Sequence, residues 1–175
     1  MKKQQKEFLS FYQVFHTSLS RYCRALAGNK EDAEDLLQDT ILAAFSQYQD
    51  LKDKEALKPY MFRIAGNLSR MRFRQKKFRG EINPSELEQI QDLAHDPEAA
   101  ADFQIIYEKL LLLPPKMAGT LILYHISDLS QEEIRKIQGG SLSGVKLRLK
   151  RGREKLLKML NSPQQVKMMT LFLSL

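Results

Sequence analysis

Apolar residues recur every three or four positions through long stretches of this chain, which is the spacing of one face of an α-helix. Residues 8–26 follow this spacing, and Gly28 can end the helix that they predict. Residues 31–45 repeat the pattern, and a third stretch begins near Pro59, a favourable first residue of a helix. None of these stretches alternates between apolar and polar residues as a half-buried β-strand does. The sequence therefore predicts an all-α fold. The side chains predicted to face the core of this part of the chain are Phe8, Phe11, Tyr12, Phe15, Leu19, Tyr22, Leu26, Ala33, Leu36, Leu37, Ile41, Ala44, Phe45, Met61, Ile64, Ala65, Leu68 and Met71.

A stretch of acidic residues separates two predicted domains. Residues 80–102 contain seven acidic side chains and no lysine or arginine, and glycine and proline interrupt them. This composition predicts a polar linker between a small helical domain at residues 1–79 and a second one at residues 103–162. The charge of the linker either keeps the chain in solution or imitates the charge of nucleic acid. Residues 163–175 form a largely apolar tail to which the sequence assigns no role.

Two predicted helices of the second domain are joined by a very short turn. Ser130, followed three residues later by Glu133, forms a capping box, which starts a helix. Gly139 and Gly140 end that helix because glycine tolerates a left-handed backbone, and Ser141 can cap the next helix. The spacing predicts a helix-turn-helix, although an ordinary helical hairpin would show the same pattern.

The helix after this turn carries cations on the side opposite its apolar stripe, which runs from Leu142 to Leu160. A helix that reads DNA presents side chains near its start to base edges, whereas flanking cations hold phosphates. Leu147 and Lys150 are predicted to reach base edges, and Arg148 and Arg151 are predicted to contact phosphates. The complete set of predicted DNA-binding residues in this helix is Ser143, Lys146, Leu147, Arg148, Lys150 and Arg151.

The third helix of the first domain has a polar stripe at helical spacing. An aromatic ring can stack on an unpaired base while cations follow the phosphate backbone, so the stripe fits single-stranded nucleic acid. An exposed amphipathic face without a partner would have the same spacing. The stripe consists of Tyr60, Arg63, Asn67, Arg70, Arg74 and Lys77.

The second helix is acidic, and four of its residues share an outer face: Asp35, Gln38, Asp39 and Leu42. An exposed leucine beside carboxylates is typical of a protein-docking surface. The alternative is a solvated helix whose acidic residues interact favourably with the helix dipole near its N-terminus.

Composition favours one class of partner and disfavours several classes of protein. The formal net charge of +7 favours an anionic partner such as nucleic acid or a membrane surface. The single cysteine, Cys23, excludes an internal disulfide and a multi-cysteine zinc site, and its apolar neighbours predict burial rather than redox chemistry. No signal-peptide pattern or bilayer-length apolar run is present, so we expect a cytoplasmic protein without a membrane partner. The three histidines have no ligand or triad spacing, and we expect no catalytic residue, metal or cofactor.

Three segments, in this order, resemble the bacterial sigma factors of the extracytoplasmic-function (ECF) type: EDAEDLLQDTILAAF, YMFRIAGNLSRMRFRQKK and LSQEEIRKIQGGSLSGVKLRLKRGREKL. The resemblance implies a non-enzymatic protein that binds core RNA polymerase and directs it to specific promoters, and it implies an anti-sigma factor as a further partner. The alternative is a helix-turn-helix regulator that acts without core polymerase, but such a regulator has no reason to present an acidic second helix.

The same resemblance implies roles for individual segments. Asp35, Gln38 and Asp39 would dock on the clamp helices of core polymerase. Tyr60, Arg63 and Asn67 would melt and read the minus-ten element, with the loop at residues 48–58 helping to capture a flipped base. The helix-turn-helix would read the minus-thirty-five element, and the acidic linker would pass through the polymerase's RNA path.

The chain also departs from the family pattern at several positions. Tyr60 stands where tryptophan is frequent, and Met71 stands in place of a frequent aspartate. Gly140 takes the apolar position of the turn, Gly144 takes a frequent threonine site, and Arg135 replaces a small residue. These departures bear on how the minus-thirty-five element is recognised.

Overall fold

The computed structural model describes residues 2–27, 29–79 and 105–160 and a few residues of the C-terminal tail, and over these residues it contains helices, turns and loops but no strand. The predicted all-α fold is confirmed. Contacts divide the chain into two compact units, residues 1–88 and 89–175. The acidic linker and most of the apolar tail lie outside the described residues, so the predicted domain boundaries stay a prediction.

Among the described residues, four α-helices build the first unit. They are α1 (Lys2–Gln13), α2 (His16–Ala27), α3 (Lys30–Ser46) and α4 (Leu57–Arg79), with a short 3-10 helix at Lys54–Ala56 before α4. Their buried faces form one core of aromatic and aliphatic side chains, which excludes water over a large apolar area. The largest fully buried side chains of this core are Phe8, Leu19, Leu36, Tyr48, Leu57, Met61 and Phe62.

The break between α1 and α2 differs from the single helix predicted for residues 8–26. The Phe15 amide donates a hydrogen bond to the Tyr12 carbonyl at 3.1 Å, which closes a tight turn at Val14 and Phe15. Val14 is 86% exposed, whereas Phe15 is buried. The turn places the apolar Phe15 in the core and leaves Phe11, which was predicted to be buried, on the surface.

Helices α2, α3 and α4 pack closely in the first unit. A Cβ atom at Gly66 of α4 would lie 3.1 Å from the Tyr22 hydroxyl of α2, so glycine permits this approach. Cys23 is buried as predicted, and its burial raises the pKa of the thiol to about 12 against a smaller opposing effect of Arg72. Met71 was predicted to face the core, but it is exposed, because it lies beside the exposed side chains of Arg74 and Phe78 on α4.

Helices also build the second unit: α5 (residues 105–111), α6 (Pro115–Leu121), α7 (Gln131–Gln138) and α8 (Leu142–Met159). Pro115 is the first residue of α6, where its missing N–H costs no hydrogen bond. Residues Ile122–Ile126 continue α6 as a π-helical turn. Among the described residues, no helix is long and apolar enough to cross a membrane.

The predicted capping signals at the start of α7 and in the turn between α7 and α8 are confirmed. The Glu133 amide donates to Ser130 Oγ at 3.3 Å, and the Ser130 amide donates to Glu133 Oε2 at 2.8 Å. Gly139 and Gly140 have φ angles of 72° and 89°, and the Gly144 amide donates to Ser141 Oγ at 3.1 Å. Helix α7 therefore ends, and α8 begins, where the local sequence predicts.

Helix α8 packs against α6 through a glycine. A Cβ atom at Gly152 would lie 3.0 Å from side-chain atoms of Met117 and Leu121, so the absence of a side chain lets the helices approach. Most of the predicted apolar stripe of α8 is buried. Leu142 is 36% exposed instead, because it is the first residue of α8 and lies beyond the covered part of the helix.

Candidate binding surfaces

The acidic face of α3 consists of Asp35, Gln38, Asp39 and Leu42, and all four side chains are exposed. Leu42 is 67% exposed although it lies on a well-packed helix. Ala33, Leu36 and Ala44 are buried on the opposite side, which fixes the rotation of α3 and directs the acidic face to the solvent. An exposed leucine among carboxylates suits a partner that offers both an apolar contact and positive charge.

Two carboxylates of α3 form ion pairs with cations of α4. Asp39 Oδ2 lies 2.5 Å from Arg72 Nη2, and Asp32 Oδ2 lies 2.8 Å from Lys76 Nζ. The hydrogen bond from Lys76, with a further one from Asn29, lowers the pKa of Asp32 below its usual value. Within the described residues, Asp35 has no ion-pair partner. The acidic face therefore contains both a paired and an unpaired carboxylate.

The stripe on α4 is largely exposed, as the sequence predicts. Arg63, Asn67, Arg70 and Arg74 are exposed, and Tyr60 is half-buried at the start of the line. Arg70 Nη2 donates to Asn67 Oδ1 at 2.5 Å, so two polar members of the stripe support each other. The side chain of Lys77, the last predicted member, lies outside the described residues.

The cations of α4 fall into two groups with different neighbours. Arg72 and Lys76 turn towards α3 and are neutralised by its carboxylates. Arg63 and Arg74 lie on the solvent side and are exposed. The solvent side of α4 is thus a cationic surface that an anion can approach, whereas Arg72 and Lys76 hold α4 on α3.

The start of α8 exposes five of its six predicted DNA-binding residues. Leu147 is 45% exposed although it is a large apolar residue. The backs of the same helical turns are buried at Val145 and Leu149. The exposed members are Ser143, Lys146, Leu147, Lys150 and Arg151. This arrangement gives the first turns of α8 a cationic outer surface with an apolar side chain within it.

The sixth predicted residue, Arg148, is only partly exposed, and its guanidinium group turns towards α6. Its Nε donates a hydrogen bond to Thr120 Oγ1 of α6 at 3.1 Å. Its Nη2 is buried and has no hydrogen-bond partner among the described residues. Helical spacing alone places Arg148 at the edge of the exposed face, and the hydroxyl of Thr120 draws it inward.

A second arginine of α8 also turns towards the body of its unit. Arg153 Nη2 lies 3.2 Å from His125 Nε2, and its guanidinium lies over the Tyr124 ring at 5.6 Å. Burial lowers the pKa of His125 to about 4, and the positive charge of Arg153 contributes to the shift. His125 therefore packs as a neutral ring at neutral pH. In the part of the chain that the structure describes, no cluster of three or more potential metal ligands exists.

Comparison with known proteins identifies the family. A family model described as sigma-70 region 2 matches residues 11–79. The RNA polymerase sigma factor SigZ of Bacillus subtilis (strain 168) is 30% identical over 150 residues, which are 85% of this chain and 84% of SigZ. The ECF sigma factor EcfG of Rhodopseudomonas palustris (strain TIE-1) is 30% identical over 141 residues, covering 79% of this chain and 77% of EcfG. The chain is an ECF sigma factor. The ECF sigma factor SigW of B. subtilis is similarly 29% identical over 171 residues, which are 91% of each chain.

Membership in this family confirms the predicted function. This sigma factor binds core RNA polymerase and directs transcription initiation at specific promoters. The alternative, a regulator that acts without core polymerase, does not fit relatives that span most of the chain.

Two solved structures have the same fold. CnrH, in complex with the cytosolic domain of CnrY, aligns with a TM-score of 0.66 at 22% identity over 89% of this chain and 88% of CnrH. The sigma factor RpoE from Bartonella quintana, in complex with the anti-sigma factor NepR, aligns with a TM-score of 0.60 at 23% identity over 90% of this chain and 96% of RpoE.

Proposed function

We propose that the acidic face of α3 is the surface that docks on core polymerase. Its residues are exposed on a helix whose rotation is fixed by buried side chains, so the surface is formed before the polymerase binds. Leu42 supplies an apolar contact, and the neighbouring carboxylates Asp35 and Asp39 select a cationic partner. This exposed acidic and apolar face is the observation that carries the proposal.

The stripe on α4 engages the minus-ten element as unpaired DNA. Tyr60 stacks on a base, and Arg63, Arg70 and Arg74 follow the phosphate backbone. The pairing of Arg72 and Lys76 with α3 supports this division, because it leaves the solvent-facing cations as the group available to DNA. The predicted contribution of Lys77 belongs to the same stripe.

Helices α7 and α8 act as a helix-turn-helix that reads the minus-thirty-five element. Leu147 and Lys150 reach base edges from the first turns of α8, and Lys146 and Arg151 contact phosphates beside them. Exposure of these side chains and the buried stripe behind them support the assignment. Ser143 adds a hydroxyl that can donate to or accept from DNA near the start of α8.

An anti-sigma factor that covers these surfaces is the second class of partner. One of the two similar solved structures contains CnrH with the cytosolic domain of CnrY, and the other contains the sigma factor RpoE with the anti-sigma factor NepR. The acidic linker at residues 80–102 follows the polymerase's RNA path. The protein works in the cytoplasm, where its polymerase is. The sigma factor itself carries out no catalysis.

In vitro transcription tests the proposal directly. Purified core polymerase is supplied with this chain and a library of promoters randomised at the minus-ten and minus-thirty-five elements, and the transcribed promoters are sequenced. The chain should select a defined sequence at both elements. The charge-reversed double variant Asp35→Lys and Asp39→Lys should lose transcription and co-purification with core, and retained co-purification would remove α3 from the docking surface.

A further inference from the structure

The turn between α7 and α8 contains two glycines, which have no side chain that could fix the angle between these helices, and Ser141, whose side chain caps α8. Gly139 and Gly140 both have positive φ angles and are exposed. Apart from the two chain neighbours of each glycine, no atom of the described residues lies within 4 Å of the position that a Cβ atom would occupy at either residue. Glycine is the most permissive residue, so such a turn constrains its flanking helices weakly. The orientation of α8 must therefore be set by contacts elsewhere.

A hydrogen-bond network centred on Thr120 supplies such contacts. Thr120 is fully buried in α6, and its hydroxyl lies 2.7 Å from the Lys116 carbonyl and 2.8 Å from Gln138 Oε1, either of which can accept its proton. Arg148 Nε donates to the same oxygen at 3.1 Å. Gln138 Nε2 in turn donates to the Lys116 carbonyl at 3.3 Å. Gln138 is the last residue of α7, so α6, α7 and α8 meet at one hydroxyl.

We propose that Arg148 is a positioning residue, which holds α8 at the angle needed for minus-thirty-five recognition by binding Thr120 and, through it, the end of α7. The inference rests on the proposed role of α8 in reading DNA. The Nε of Arg148 is engaged and its Nη2 is buried, so the guanidinium group is held against α6 rather than extended towards a phosphate. Its importance follows from geometry, since base-edge hydrogen bonds require donor–acceptor distances of about 2.7–3.2 Å and a small rotation of α8 would break them.

A neutral substitution separates positioning from charge. In Arg148→Gln, the amide nitrogen is as many bonds from the backbone as the Nε of arginine. The substitution therefore keeps a hydrogen-bond donor for Thr120 and removes the positive charge. Arg148→Ala removes both. Thr120→Val is nearly isosteric and removes the hydroxyl from the other side of the contact. Arg151→Ala is the matched control, because Arg151 is an exposed cation on the same helix.

The experiment uses full-length chain assembled with core polymerase. Equilibrium binding is measured on a promoter recovered by the library selection and on the same promoter with a scrambled minus-thirty-five element, at several salt concentrations. The ratio of the two affinities isolates the contribution of α8, and the slope of log affinity against log salt counts the phosphate contacts. Thermal unfolding of each variant is followed alongside.

Positioning predicts that Arg148→Ala and Thr120→Val each lower the affinity ratio about tenfold, the effect of losing one base contact. The Arg148→Ala and Thr120→Val double variant should lower the affinity ratio no further than the more damaging of the two single variants does. Arg148→Gln should retain most of the affinity ratio. The three single variants of Arg148 and Thr120 should keep the parental salt slope. Arg151→Ala should instead lower that slope by about one unit.

Other results would overturn the proposal in distinguishable ways. If Arg148→Gln loses as much affinity as Arg148→Ala and both lower the salt slope by about one unit, Arg148 is a phosphate contact. Additive losses in the Arg148→Ala and Thr120→Val double variant would separate the two residues and reject the network. A parental holoenzyme that does not discriminate between the two promoters would instead reject the proposed role of α8 altogether.

Discussion

The ion pair between Asp39 and Arg72 makes a quantitative prediction about polymerase docking. The side chains of Asp39 and Arg72 are 54% and 29% exposed, so the pair lies close to the solvent. Pairs of this kind contribute about 0.2–1 kcal/mol after screening. A cation of the polymerase that binds Asp39 must compete with Arg72 for the carboxylate, and the competition weakens docking by up to about fivefold. Within the described residues, Asp35 has no such competitor.

Three substitutions test this competition. Asp35→Asn should weaken binding to core polymerase more than Asp39→Asn does, because Asp35 offers its full charge to the partner. Arg72→Gln should strengthen binding by up to about fivefold, since it releases Asp39. Arg74→Gln is the control, because it makes the same change of charge on the solvent side of α4.

Fluorescence anisotropy of chain labelled at its N-terminus, titrated with core polymerase at a fixed ionic strength, gives the dissociation constants. The circular dichroism of each variant checks that the helices are retained. Equal changes of the dissociation constant in Arg72→Gln and Arg74→Gln would rule out the competition, and so would a larger loss of affinity in Asp39→Asn than in Asp35→Asn.

The remaining predictions concern DNA and pH. Tyr60→Ala should reduce the permanganate reactivity of thymines in the minus-ten element, because stacking of a base on an aromatic side chain contributes about 1–3 kcal/mol; unchanged reactivity on a weak promoter would exclude Tyr60 from melting. Leu147→Arg should change the minus-thirty-five sequence that is selected from a randomised library, and recovery of the parental sequence would show that Leu147 does not face the bases. The pKa of His125 is lowered from 6.5 to about 4 in the folded chain. Between pH 6.5 and pH 4 the unfolded chain therefore binds more protons than the folded chain. The free energy of unfolding should fall as the pH is lowered through this window. Urea unfolding at pH 7 and pH 5 should show a smaller loss of stability in His125→Gln than in the parent, and equal losses would contradict the burial of a neutral ring.

Local signals predicted the second unit better than the first. A helix start such as Ser130 and a helix end such as Gly139 depend on hydrogen bonds within a few residues, so the sequence contains what is needed to locate them. The break at Val14 has no such signal, because neither glycine nor proline marks it. Helical spacing continues across it, since the turn keeps Tyr12 and Phe15 in the core. A pattern of burial thus identifies a helix more securely than it identifies where the helix is interrupted.

For the candidate surfaces too, the sequence predicted what depends on neighbouring residues but not what depends on residues far apart in the chain. Helical spacing correctly predicted that the outer face of α3, most of the stripe on α4 and the first turns of α8 are exposed. It could not predict which charges are already paired. Asp39 and Arg72 are 33 residues apart, and Arg148 and Thr120 are 28 residues apart, so only the packing of the helices brings these groups together.

The buried thiol of Cys23 gives this protein an internal chemical measure of how often its first unit opens. Thiolates rather than thiols react with alkylating reagents, and in the folded chain burial raises the pKa of Cys23 to about 12. Alkylation therefore requires opening of the packing around α2, and no other thiol in the chain competes for the reagent, because Cys23 is the single cysteine. Helical signals from two all-α units overlap in an ordinary unfolding curve. The rate at which intact chain is alkylated instead follows the first unit alone, and comparing free chain with chain bound to core polymerase would show how much docking suppresses its opening.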